Sequence, residues 1–152
     1  MRCSARSVRG ILGVLVASIA AIGSVGTTYA AENDISVGGV MVCTITHDAS
    51  GYTADQRVNQ VRQRITTVLS TNGFRGNSTV FVRVRPAGQD ALIWVGDKQT
   101  NILVFTVTPA DTIGTSLTPV QLARQWAPRL AQGLSKAMPS SYWNIPGHVY
   151  LF

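Results

Sequence analysis

The sequence predicts an α+β domain: an antiparallel sheet of about four strands with two helices on one face, in the order β-α-β-β-β-α. Three observations carry this reading. Two segments repeat their apolar residues every three or four positions and open on capping residues, as amphipathic helices do. Other short segments alternate apolar with polar residues, or are apolar throughout, as strands do. The pieces between the last three strand segments are too short for a crossover helix, so those strands pair antiparallel.

Residues 1–30 have the layout of an export signal. Arg2, Arg6 and Arg9 precede the apolar run Ile11–Ile22, and small residues follow up to Ala30 and Ala31. That run is too short to span a bilayer comfortably as a packed helix. Thr28 and Ala30 fit the small positions before a cut between Ala30 and Ala31. An uncleaved anchor is the alternative, because small and apolar residues extend from Gly10 to Gly26. The expected product is exported, periplasmic or secreted, with no membrane insertion after cleavage, and residues 31–152 form a single domain. Of 13 Lys+Arg and 7 Asp+Glu, the leader takes three arginines and no acid, so the mature charge falls from +6 to +3. Cys3 leaves with the leader, so Cys43 remains alone and no internal disulfide is available.

Within the domain, residues 31–37 read as a polar lead-in and Gly38–His47 as the first strand, with Val40, Val42, Thr44 and Thr46 alternating against Met41, Cys43, Ile45 and His47. Asp48–Gly51 has turn composition. Thr53 and Gln56 make a capping box ahead of a helix over 54–70, whose stripe is Val58, Val61, Ile65, Val68 and Leu69. Arg57, Arg62 and Arg64 fall off that stripe, and Asn72-Gly73 and Gly76 end the helix. Thr79–Arg85 sets Val80, Val82 and Val84 against Phe81, Arg83 and Arg85. Pro86–Gln89 turns into the strand Asp90–Val95, and Gly96–Gln99 turns into Asn101–Thr108. The last is apolar on both faces at its centre, which suggests an inner strand. Thr118 with Pro119 opens the second helix, on which Leu122, Trp126, Leu130 and Leu134 recur with Ala123, Ala127 and Ala131 beside them. Pro128 should kink or divide it, and Met138-Pro139 closes it. The tail carries Tyr142, Trp143, Tyr150 and Phe152 and is expected to pack back as an extended segment.

No catalytic motif stands out. Cys43 as nucleophile with His47 as base would need contact, yet i and i+4 on one strand lie about 13 Å apart. A buried thiol and a strand-end histidine account for both. His47, His148, Cys43 and scattered aspartates lack the paired spacing of a metal site, so no metal and no cofactor is expected. Asp97 and Asp111 could touch calcium, but turn chemistry explains them, as helix capping explains Asp55 and Gln56. Gly96-Asp97-Lys98 is followed by no helix and so lacks a phosphate-loop context. The Asn77-Ser78-Thr79 sequon matters only in a source that glycosylates exported proteins.

Phe81, Arg83 and Arg85 project from one strand face, with Trp94 on the next strand. Arginines interleaved with aromatics can bind single-stranded nucleic acid, but an exported protein of charge +3 argues for a solvated edge or an anionic partner surface, not nucleic acid. The leading functional expectation is therefore an exported, non-catalytic binding module whose partner is an envelope protein. Its contact surface would be Phe81, Arg83, Arg85 and Trp94. The alternatives are a small-molecule carrier with an apolar pocket lined by Trp126 and Trp143, or an enzyme built on Cys43 and His47.

Ala91–Leu134 contains an apolar strand, the Gly96-Asp97 turn, a second apolar strand ending Thr106-Val107-Thr108, then Ala110-Asp111. It continues as Leu117-Thr118-Pro119-Val120-Gln121-Leu122-Ala123-Arg124-Gln125-Trp126-Ala127 and a closing apolar helix. With the helix 54–69 and the arginine strand Val80–Arg85, residues 53–138 resemble the exported N-terminal segment that precedes the channel in some bacterial, notably cyanobacterial, proteins of the small-conductance mechanosensitive channel family. The channel domain and its transmembrane helices are not in this sequence, so channel activity is not implied. The resemblance implies a stand-alone periplasmic module of a type otherwise fused to a membrane protein, and it carries over no catalytic residues.

Overall fold

The computed structural model describes residues 32–70, 80–97, 100–138 and the backbone of 149–151. The leader, Asn72-Gly73, Gly76, the Asn77-Ser78-Thr79 sequon, Tyr142, Trp143 and His148 lie outside the described residues. The elements are β1 (Asp34–Val37), β2 (Val40–Thr44), α1 (Ala54–Ser70), β3 (Phe81–Ala87), β4 (Asp90–Gly96), β5 (Asn101–Val107), a 3-10 turn (Pro109–Thr112), α2 (Pro119–Ala137) and β6 (Val149–Leu151). The fold is α+β, and the helices begin where their capping residues predict. Thr53 Oγ1 accepts from the Gln56 N–H while Gln56 Oε1 accepts from the Thr53 N–H, at 3.3 and 3.0 Å. Asp48 adds a second cap by accepting from the Ala54 N–H at 2.8 Å. Thr118 and Gln121 repeat the reciprocal box on α2, with Pro119 at its first position.

The strands depart from expectation in three places. Residues 34–37 are not a lead-in. Ile35 and Val37 alternate with Asp34 and Ser36, are buried, and pair antiparallel with β2. Gly38 and Gly39, at φ 54° and 75°, form the two-residue turn between them, a conformation suited to a tight hairpin. The first strand is correspondingly shorter than Gly38–His47, ending at Thr44. The β1–β2 hairpin is also a sheet of its own and does not extend the larger one, whose order is β5-β4-β3-β6. The Gly-Gly turn lets the two strands pair with each other, and the hairpin lies against α2 and α1.

The third departure concerns β5, which is an edge strand and not an inner one. Its apolar centre has another cause. Ile93 pairs with Phe105 and Trp94 with Leu103, so Val104 is an extra residue, a bulge that turns both Val104 and Phe105 into the core. A bulge at Val42 does the same for Val42 and Cys43 in β2. The β3–β4–β5 meander is antiparallel throughout, as predicted, and the tail residues Val149–Leu151 add to β3 in parallel.

One face of the meander (Val82, Val84, Ile93, Val95, Phe105 and Val107) joins the buried stripes of both helices in a single core. Leu130 and Leu134 of α2 are fully enclosed there, so truncating either to Ala costs about 2–5 kcal/mol. Pro128 does not divide α2. It lies on the exposed side, where water can satisfy the Arg124 carbonyl that proline leaves without a donor. Gly133 is buried because the hairpin turn touches the helix backbone to backbone. A Cβ on Gly133 would sit 2.5 Å from the Val37 carbonyl oxygen, and one on Gly38 would overlap the Gly133 carbonyl. No helix among the described residues is long and apolar enough to cross a membrane.

Candidate binding face

The register of the meander decides which side chains share its second face. Arg83 lies directly across from Trp94, Arg85 from Leu92, and Trp94 from Leu103 on the bulged strand. Phe81 lies across from Gly96, which presents no side chain. The side-chain period of two puts Phe81, Arg83 and Arg85 on one side of β3, so the four residues singled out from the sequence come together. They are not equivalent. Phe81 is buried, Arg83 and Trp94 are half-buried, and Arg85 is exposed.

The Arg83 guanidinium carbon stands 3.8 Å from the centroid of the Phe81 ring, a cation–π contact that fixes the head group over the aromatic face. Its Nε–H is enclosed and has no hydrogen-bond partner among the described residues. The indole Nε1–H of Trp94, on the neighbouring strand, is in the same condition. Enclosing a donor without an acceptor costs about 1–3 kcal/mol, so folded proteins rarely tolerate it. Here two cross-strand neighbours do so on one face, with the Arg85 charge beside them. This arrangement suits hydrogen-bond acceptors bearing negative charge.

The other sequence candidates have structural occupations. Trp126 is 6% exposed and packs edge-on against Phe105, with centroids 5.8 Å apart and planes at 62°. It belongs to the core; Trp143 lies outside the described residues. Cys43 is buried, and its thiol is pushed far above its ordinary value, first by burial and then by the negative charge of Asp111. It is held protonated, the opposite of what a nucleophile needs. His47 lies beyond the end of β2, where its carbonyl accepts from Arg57 Nη1 at 2.7 Å.

Asp111 is engaged by Arg57. The guanidinium meets both carboxylate oxygens, at 2.9 and 2.6 Å, and also reaches the Thr106 carbonyl of edge strand β5 at 3.3 Å. The backbone N–H and hydroxyl of Thr108 donate to Asp111 Oδ2 as well, at 2.8 and 3.0 Å. The side chains of this pair are 8% and 2% exposed. Asp97 likewise closes its turn, accepting from the Thr100 N–H at 2.7 Å. The Arg57–Asp111 pair escaped the sequence reading because Arg57 looked like a residue off the apolar stripe. The available signal was its spacing of four to Val61, which places it at the stripe's edge.

The fold defines the class: an α+β domain of two helices packed on an antiparallel meander, with an added Gly-Gly hairpin. Residues 34–137, from the first residue of β1 to the last of α2, match the family described as Domain of unknown function (DUF8459), and the chain belongs to it. Neither a curated protein nor a solved structure matches the chain.

Proposed function

We propose that the protein is an exported, non-catalytic binding module whose outer sheet face engages an acidic segment of an envelope protein. The observation that carries this is the pair of enclosed, unpartnered donors, Arg83 Nε–H and Trp94 Nε1–H, beside the exposed Arg85. Both donors are shut off from solvent in the unbound protein, so an acidic segment supplies the missing acceptors only as the face opens to it, while pairing with the guanidiniums of Arg83 and the exposed Arg85. Phe81 holds Arg83 in place and is not itself the contact. The export layout of residues 1–30 and the resemblance to an exported segment fused to a channel both favour an envelope location. The protonated state of Cys43 speaks against the enzyme reading.

The test is capture from envelope extracts with wild type and with the double variant Arg83→Gln/Arg85→Gln. The wild type is expected to retain a partner through an acidic segment, and the variant to lose it while keeping the wild-type circular dichroism and melting temperature. Equal capture by both would sink the assignment of this face. Intact mass of the native protein is the companion measurement: the expected species starts at Ala31, and one retaining Met1 in the membrane fraction makes the leader an anchor.

A further inference from the structure

A second cluster, made of different residues, is independent of that reading. Between the Ala49–Tyr52 turn, α1 and β5 lies a cavity of about 160 Å³, lined chiefly by Ile45, Tyr52, Arg57, Gln60, Val61 and Arg64. Its lining holds two guanidiniums and no carboxylate. The two are in different states. Arg57 is neutralised by Asp111. Arg64, two helical turns on along the same face of α1, is half-buried and forms no hydrogen bond or ion pair among the described residues. The site therefore carries one uncompensated positive charge above an apolar floor of Ile45 and Val61.

The wall opposite is built with strain. Ser50 has φ 55°, in the left-handed region that a non-glycine residue seldom occupies, and Gly51 follows at φ 80°. The turn persists because Ala49 and Tyr52 exchange both backbone hydrogen bonds at 3.0 Å, and because Asp48 and the His47 carbonyl are tied to α1. This holds Tyr52 at the mouth, 48% exposed, although burying a large aromatic is normally favourable. A dry cavity of about 150 Å³ in another protein admits a benzene ring, which sets the scale of the guest.

We infer that this cleft binds a small organic monoanion: a carboxylate on a compact ring or branched apolar body. The body fills the space over Ile45 and Val61, and the carboxylate takes the free guanidinium of Arg64, with the Tyr52 ring over the mouth. The probe is benzoate, titrated into the full exported chain and followed by amide shifts. Benzamide serves as the neutral isostere, and Arg64→Gln is compared with Arg124→Gln, an exposed residue of α2 whose loss changes the charge equally. The expected result is saturable shifts at Ala49–Tyr52 with benzoate, at least tenfold weaker binding of benzamide, and at least a tenfold loss in Arg64→Gln but not in Arg124→Gln. Arg64→Gln should melt with the wild type, so a lost response is not lost folding. The inference is overturned if benzoate gives no saturable shift, if benzamide binds equally well, or if Arg64→Gln and Arg124→Gln behave alike.

Discussion

Arg57, on the helix side of the molecule, gives its terminal nitrogens to Asp111, the His47 carbonyl and the Thr106 carbonyl, whereas Arg83, on the outer sheet face, encloses an Nε–H that meets no acceptor. Apart from Asn33 Oδ1 ahead of β1, the enclosed side-chain polar atoms without partners among the described residues are those of Arg83 and Trp94. The contrast separates two uses of the same side chain. A guanidinium surrounded by acceptors from three chain segments serves as a clasp and has little left to offer a ligand. One held by a ring, with a donor unanswered, costs stability in isolation and recovers it only when something binds.

The largest expected effect tests the clasp. Arg57→Met keeps the side chain's bulk but leaves the Asp111 carboxylate buried without its counter-charge, and should cost about 3–5 kcal/mol in urea unfolding. Arg83→Met removes an unsatisfied donor together with a cation–π contact and should change stability by less than about 1 kcal/mol. If the two variants cost the same, the distinction between clasp and site fails.

Gly133→Ala probes the closed side at the hairpin. The added methyl meets the Val37 carbonyl and Cβ, so the turn must shift, at about 1–3 kcal/mol. Amide exchange in β1 and β2 should accelerate more than in β3 and β4. Uniform acceleration would mean that the hairpin and the meander open as one unit.

Cys43 sharpens the same side through pH. Its thiol is raised in the folded state from an ordinary value of 9.0. Below that value both states keep the proton and the thiol adds no pH dependence. Above it the unfolded chain loses the proton and the folded chain retains it, so stability falls with rising pH by up to about 1.4 kcal/mol per unit. Unfolding of wild type and Cys43→Ala between pH 8 and pH 10.5 should give curves that run parallel below 9 and converge above it. Curves that stay parallel would mean the thiol ionises freely in the fold.

Much of this contrast was visible in the residues, and the rest was not for definite reasons. The capping pairs Thr53/Gln56 and Thr118 with Pro119 are local chemistry, and both helices began where they pointed. The alternation in β3 put Phe81, Arg83 and Arg85 on one face, because a period of two needs no tertiary knowledge. The two bulges defeated the same reasoning: an extra residue at Val42 or Val104 depends on the partner strand's register, which a single strand's pattern does not contain. Gly38-Gly39 is a hairpin signal, but the segment before it offers only two apolar residues, Ile35 and Val37, to mark a strand. The partner of Arg57 is out of reach for a stronger reason: Asp111 lies 54 residues away.

The smallest effect on stability is the one most telling for the outer face. Trp94→Phe keeps a flat aromatic across from Arg83 and Leu103 and removes only the fused ring and its N–H. In a purely structural tryptophan the lost area and the small void would destabilise the fold by about 1–2 kcal/mol. Here the deleted group is also an enclosed donor with no acceptor, and relieving it offsets much of that loss, so the net change should stay within about 1 kcal/mol of zero. Binding should respond differently. If an acidic segment answers the Trp94 N–H in the complex, the variant loses a charge-assisted hydrogen bond made only there, and dissociation should speed by roughly tenfold, measured by surface plasmon resonance with the captured partner. Stability held and dissociation accelerated is the signature of a donor kept for a partner. A destabilised variant with unchanged dissociation would return Trp94 to the packing of the sheet and leave Arg83 and Arg85 as the whole of the face.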